Sequence, residues 1–179
     1  MLRRLPILAC ALVLAAPLGL VACGDKEQGI DEPANEGLAI ELEGVDYTVF
    51  ITRELNPKIT PDNAYVTEEA GPGEALYGVF LRACNVSKDR RSLATDFTVH
   101  DNQNNKFDPE PLPEDNQFAY QPRTLDPEEC LPEAGSVAQL GPTAASMLLF
   151  KFPLENTENR PLELEIQQGG QKRTFELDI

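Results

Sequence analysis

The chain has 179 residues, with 30 acidic against 15 basic side chains and a formal charge of −15; hydrophobic residues make up 41% and aromatics 7%. That length supports one domain with a real core, and the charge argues against nucleic acid, whose phosphates need clustered Lys and Arg. A single His excludes any site built from several imidazoles.

Arg3 and Arg4 precede an apolar stretch from Leu5 to Leu20 that ends in Leu20-Val21-Ala22-Cys23. The stretch is shorter than the roughly 20 residues of a spanning helix and is interrupted by Pro6, Pro17 and Gly19. Its end resembles the lipobox of bacterial lipoproteins, in which the Cys is lipidated and becomes the new N-terminus. The expectation is a signal peptide over 1–22, removed on export, and acyl chains (palmitate among them) on Cys23. Two or more chains, at ~0.8 kcal/mol per buried CH₂, give a stable anchor on the extracytoplasmic side of the cell membrane. Cleavage leaves thirteen basic against thirty acidic side chains, a charge of −17 that anionic lipid repels.

Residues 23–37 follow as a lipidated Cys and a tether. Gly24 to Gly37 is rich in charge, Gly and Pro and has only Ile30 as a large apolar side chain, too little to offset the entropy of ordering it. The folded domain is expected over 38–179.

From there the chain reads as β. Ile40 and Leu42 alternate with Glu41 and Glu43, and Tyr47, Val49 and Ile51 alternate with Thr48 and Thr52. Leu76 to Val86 is more continuously apolar, as a strand covered on both faces would be. Asp96 to His100 is a short strand with Phe97 and Val99 on one face. Ser146 to Phe152 again reads as a central strand. Leu162, Leu164 and Ile166, then Phe175, Leu177 and Ile179, alternate with acids, and Gly169-Gly170 between them predicts a hairpin. Fifteen Pro and twelve Gly leave no window for a helix longer than about two turns.

Taken in order, Asn85-Val86-Ser87, Phe97-Thr98-Val99, the polar turn Asp101 to Lys106 with Phe107, Leu140-Gly141-Pro142, and the strand Met147 to Pro153 carry a resemblance. From Val45 to Ile179 the chain resembles the immunoglobulin-like domain of unknown function found in exported bacterial lipoproteins, related to a secreted mycobacterial antigen. It departs from that pattern in the long insert from Asp108 to Glu133, which includes Cys130. The resemblance implies an all-β, immunoglobulin-like β-sandwich of about seven strands and no catalytic residues.

Cys10 leaves with the signal and Cys23 takes lipid, so Cys84 and Cys130 remain in an oxidising compartment. A disulfide between them is the economical expectation and two free thiols the alternative. A zinc site is excluded, since no second Cys or His stands near either.

The remaining residues give binding candidates and no enzyme. His100 beside Asp101 lacks a nucleophile and a third group, so it reads as a strand-end histidine. Asp101 to Asn105 has oxygen ligands at alternate positions but fails the EF-hand pattern at Lys106 and Leu112, and a turn explains the same residues. Asn85-Val86-Ser87 matches an N-glycosylation triplet, which reads as incidental because the lipobox points to a bacterium. Glu68-Glu69 and Glu128-Glu129 read as solvated faces. The insert carries six Pro and the aromatics Phe118 and Tyr120, which either fold back as packing, the favoured reading, or stand exposed as a binding loop. The expectation is a binding module for an envelope protein or component, with no cofactor and no metal. The alternative is a small-ligand or calcium-binding solute protein.

Overall fold

Residues 32–179 are described by the structure, a computed structural model. The signal segment, Cys23 and the tether as far as residue 31 lie outside the described residues. In chain order the strands are β1 (Ala34–Asn35), β2 (Ala39–Leu42), β3 (Val45–Leu55), β4 (Glu74–Asn85), β5 (Arg91–Ser92), β6 (Asp96–His100), β7 (Lys106–Phe107), β8 (Thr124–Leu125), β9 (Cys130–Leu131), β10 (Ser146–Pro153), β11 (Leu162–Gln168) and β12 (Gln171–Leu177). One short helix, α1 (Val137–Leu140), and 3-10 turns at Asp62–Ala64 and Leu154–Glu158 complete the described residues.

Two sheets form the sandwich, in the orders β2-β3-β4-β10 and β1-β12-β11-β6-β7. Seven of these strands have four residues or more, the number that the family resemblance implies. The order is immunoglobulin-like: the chain passes from the β2-β3-β4 sheet to β6 and β7 in the other, returns for β9 and β10, and crosses again to β11 and β12, with β5 and β8 paired apart from both. Gly169 and Gly170, both at positive φ (58° and 82°), close the β11–β12 hairpin as a type I′ turn, whose twist suits two antiparallel strands.

Between the sheets lies the main core. Val45, Tyr47 and Val49 of β3, Val79 and Leu81 of β4, and Phe150 and Phe152 of β10 face Phe97, Leu164, Ile166 and Phe175. Burial of each such side chain contributes about 1.5–3 kcal/mol. A second core lies on the outer face of β4 and β10, where Leu76, Phe80, Met147 and Leu149 are covered by Leu55, Tyr65 and Val66. This double covering is why Leu76 to Val86 reads as nearly continuous apolar sequence. Gly78 belongs to it: an added Cβ would meet the Phe80 ring at 2.8 Å and the Met147 sulfur at 3.0 Å.

Three expectations need correction. The alternation through β3 breaks at a bulge between Val49 and Ile51. The extra residue turns the strand over, so Ile51 is exposed and Thr52 is buried, with Phe50 beside them exposed at the surface. The expected tether is also not free to its end. Ala34 is buried and pairs in parallel with Phe175, and Glu36 accepts hydrogen bonds from the Thr52 and Asp178 amides. Small size let Ala34 enter the core where composition suggested only solvated chain. Finally, β10 is the outermost strand of its sheet. Its free edge is taken by the insert, through the Glu110 amide to the Leu149 carbonyl (2.7 Å) and a pair of bonds between Met147 and the Phe118–Tyr120 segment. That pairing shields an apolar strand edge from other chains.

Cys84 and Cys130 form a disulfide, placed opposite each other on β4 and β9. It lies within one sheet and does not cross the sandwich as the immunoglobulin bridge does. Its work is to hold the far end of the insert. Replacing both cysteines with serine is expected to cost about 2 kcal/mol, the lower end of the usual range because the β4–β9 backbone pairing remains. Urea unfolding of the double variant against the oxidised parent measures it.

Candidate functional site

The connection from β3 to β4 contains one charged residue that the core cannot leave unpaired. Asp62 is buried and accepts from the Asn56 amide at 2.9 Å and from the Arg53 guanidinium. Burial would raise its carboxyl, but the bonds from Arg53 and Asn56 outweigh it and hold the group below the usual range. Arg53 in turn lies 5.7 Å from the centroids of both Tyr65 and Phe80. Tyr65 is thereby fixed, and it meets Phe80 and Phe118 edge-on at 5.1 and 4.7 Å.

Across from Tyr65 runs the insert, as Pro111-Leu112-Pro113 and then Asp115 to Phe118. Asn116 joins the two walls: its amide nitrogen donates to the Tyr65 carbonyl at 2.8 Å, while its oxygen accepts from the Phe118 amide at 2.9 Å. Between the walls is a cleft of about 600 Å³. Its floor is apolar, from Leu76, Leu149, Tyr65 and Phe118, with Leu112 half-buried at its side. The rim carries four carboxylates (Glu68, Glu69, Glu110 and Asp115) against one ammonium, Lys151. Lys58 pairs with Glu69 at 2.7 Å and Lys151 with Glu110 at 3.6 Å. Glu68 and Asp115, one on each wall, have no ion-pair partner among the described residues. A cleft of this size is large enough for ligands of a few hundred daltons, and here polar and charged side chains make up about half of its lining.

The residues singled out from sequence fall into different places. Phe118 is half-buried and forms part of the cleft wall. Tyr120 is not on a binding surface. It is buried in the main core, edge-on to Phe97 at 5.0 Å, and its hydroxyl donates to the Ala94 carbonyl at 3.1 Å. The binding-loop reading is therefore corrected for Tyr120, whose side chain the sandwich needs for its own packing. Glu68 and Glu69 are exposed, as expected, but they edge the cleft.

Asp101 is buried, and its carboxylate accepts five hydrogen bonds: from the backbone of Gln103 and Asn105 and from the side chains of Asn105, Asn156 and Asn159. Burial alone would raise its carboxyl. The bonds from Asn105, Asn156 and Asn159 win and hold it far below the usual range. With its oxygens so engaged by N–H groups, the Asp101 turn is a hydrogen-bonded knot tying the β6–β7 turn to the segment after β10, and no calcium loop. Asp101 is likewise spent as an orienting partner for His100, whose Nε2 is buried without a hydrogen bond among the described residues. His100 lines a second cavity, of about 760 Å³, where Lys172 and Glu165 neutralise each other at 2.9 Å. Asn85 is buried, bonded through its side chain to Asp89, Leu125 and Ser87, so the triplet is a structural turn.

The cleft was missed at the level of sequence. Tyr65-Val66, an apolar pair inside a stretch of Pro, Gly and acids, was the signal available for one wall. The other wall was in view through Phe118 and Leu112, but the two lie about fifty positions apart and meet only in the fold, through Asn116 and the Tyr65–Phe118 ring contact.

No family model matches the chain, and no curated protein matches it. Solved structures do. An uncharacterized β-sandwich protein from Clostridium difficile 630 is 17% identical over 82% of this chain and 95% of its own, with a TM-score of 0.49. A candidate lipoprotein of Bacillus subtilis, ycdA, is 14% identical over 78% of this chain with a TM-score of 0.50, and the match spans 38% of the ycdA chain. The Bacillus subtilis protein yjhA is 10% identical over 81% of this chain and 99% of its own, with a TM-score of 0.48. At these identities the likeness is one of fold alone.

Proposed function

We propose that the chain is a bacterial lipoprotein, anchored through Cys23 on the extracytoplasmic side of the membrane, whose β-sandwich is a binding module. Its binding site is the cleft between Tyr65 and the insert. The observation that carries the reading is the cleft itself: half-buried Leu112 and Phe118 over the buried Tyr65, Leu76 and Leu149, between walls already joined by Asn116 and braced by the Arg53–Asp62 pair. A site so built loses little freedom on binding.

The anchoring half rests on Leu20-Val21-Ala22-Cys23 and on the family resemblance of the mature chain. A disulfide in the domain fits the same compartment. Among the described residues no helix is long and apolar enough to cross a membrane. The description of ycdA as a candidate lipoprotein is compatible with the reading.

Copurification tests the binding half. The tagged chain and its Leu112→Asp variant are recovered from envelope extracts, with melting temperatures compared in parallel. A stoichiometric companion that leaves with Leu112→Asp, while the fold persists, is the expected result. A companion held equally by both would overturn the cleft as its site. The anchoring half predicts that Cys23→Ser moves the chain out of the membrane fraction, and a variant that still sediments with membranes overturns it.

A further inference from the structure

The rim of the cleft restricts what can enter it. Four carboxylates against one ammonium line the cleft with leucine and aromatic rings, a net negative rim that disfavours an anion or a fatty acid headgroup. Two of these carboxylates are already answered, Glu69 by Lys58 and Glu110 by Lys151. The other two, Glu68 from the β3–β4 connection and Asp115 from the insert, are exposed and stand on opposite walls. They call for two positive charges, one on each side of an apolar group. A volume of about 600 Å³ admits a few side chains and not a folded domain. The whole-chain charge of −15 would draw such a ligand in.

We propose that the cleft takes a short basic peptide segment, an apolar or aromatic side chain flanked by Lys or Arg, with the apolar group against the half-buried Leu112 and Phe118 and the cations at Glu68 and Asp115. This rests on the cleft being the binding site. It names the ligand class that charge and floor together select: a flexible basic stretch of an envelope protein.

The test uses the full chain in detergent micelles and three labelled tetrapeptides, blocked at both ends: Lys-Phe-Leu-Lys, Glu-Phe-Leu-Glu and Lys-Ser-Ser-Lys. Fluorescence anisotropy at low and high salt reads the affinities. Lys-Phe-Leu-Lys is expected to bind about ten-fold more tightly than either control, less so at high salt. Glu68→Gln combined with Asp115→Asn removes charges that hold nothing in the fold, and is expected to weaken it about five-fold at low salt with the melting temperature unchanged.

Equal binding of Glu-Phe-Leu-Glu, lost in Leu112→Asp, would overturn the basic class and leave the cleft standing as a site. Binding of Lys-Phe-Leu-Lys that ignores the double charge variant would overturn the proposal too, since the charges would then be unread. If no peptide binds, the basic segment is wrong, and loss or retention of the copurifying companion in Leu112→Asp decides the cleft separately.

Discussion

Replacing Tyr120 with alanine is expected to destabilise the domain by about 4 kcal/mol, in the range found for deleting a buried aromatic ring. The ring is 9% exposed, lies edge-on to Phe97, and closes the core where the insert crosses from β10 toward β6. Its hydroxyl adds a polar link. Tyr120 donates to the Ala94 carbonyl, the Ala94 amide donates to the Tyr47 hydroxyl at 2.7 Å, and Tyr47 donates to Gln168 at 2.8 Å. Burial pushes the Tyr120 phenol well above its ordinary value, with Tyr47 adding to the effect. Alanine therefore opens a cavity and orphans a buried carbonyl at once. Tyr120→Phe keeps the ring and loses only the bond, so its cost should be about 1 kcal/mol. Phe118→Ala, half-buried on the cleft wall, should fall between at about 2 kcal/mol. Urea midpoints of the three variants give the order, and a Tyr120→Ala protein as stable as the parent would contradict the packing described.

The second large effect is at Asp101. Asp101→Asn is expected to cost about 3 kcal/mol near neutral pH, because a carboxylate accepting from five N–H groups becomes an amide that offers N–H groups of its own. At about 2–4 °C per kcal/mol the melting temperature falls by roughly 10 °C. The pH dependence has a definite sign. The folded carboxyl is held below its unfolded value of about 3.9, so the unfolded chain takes up the proton first as pH falls. The stability it contributes is complete above that value and is lost as pH drops through the folded pKa. The gap between parent and Asp101→Asn should therefore be constant from neutral pH to about 5 and narrow below about 4. Thermal melts across that range follow it. A gap that widened on acidification would contradict the assignment.

These two sites show which parts of the molecule were legible from residues alone. Leu162 to Ile166 and Phe175 to Leu177 declared their strands because each has one face in the core and one among acids, and Gly169-Gly170 supplied the positive φ the hairpin uses. Leu76 to Val86 declared a strand buried on both faces. The Cys84–Cys130 bridge followed from compartment and count. The bulge after Val49 was not legible, since Tyr47, Val49 and Ile51 alternate as an unbroken strand would, and only the pairing with β4 shows the slip. Asp101 looked like an ion ligand or a turn residue because its partners Asn156 and Asn159 are more than fifty positions away. The cleft was hidden for the same reason. Each wall taken alone is a loop of Pro, Gly and acids, and although a second covered face of β4 was legible, the loops that cover it were not.

Photo-crosslinking in living cells asks most directly whether the cleft is where this module meets its partner. A benzophenone side chain is placed at Gln117, exposed on the cleft wall, or at Phe50, 37% exposed at the β3 bulge away from it. The cleft reading predicts one discrete adduct from position 117 and none from position 50. An adduct from position 50 alone, with position 117 silent at the same labelling efficiency, would contradict it.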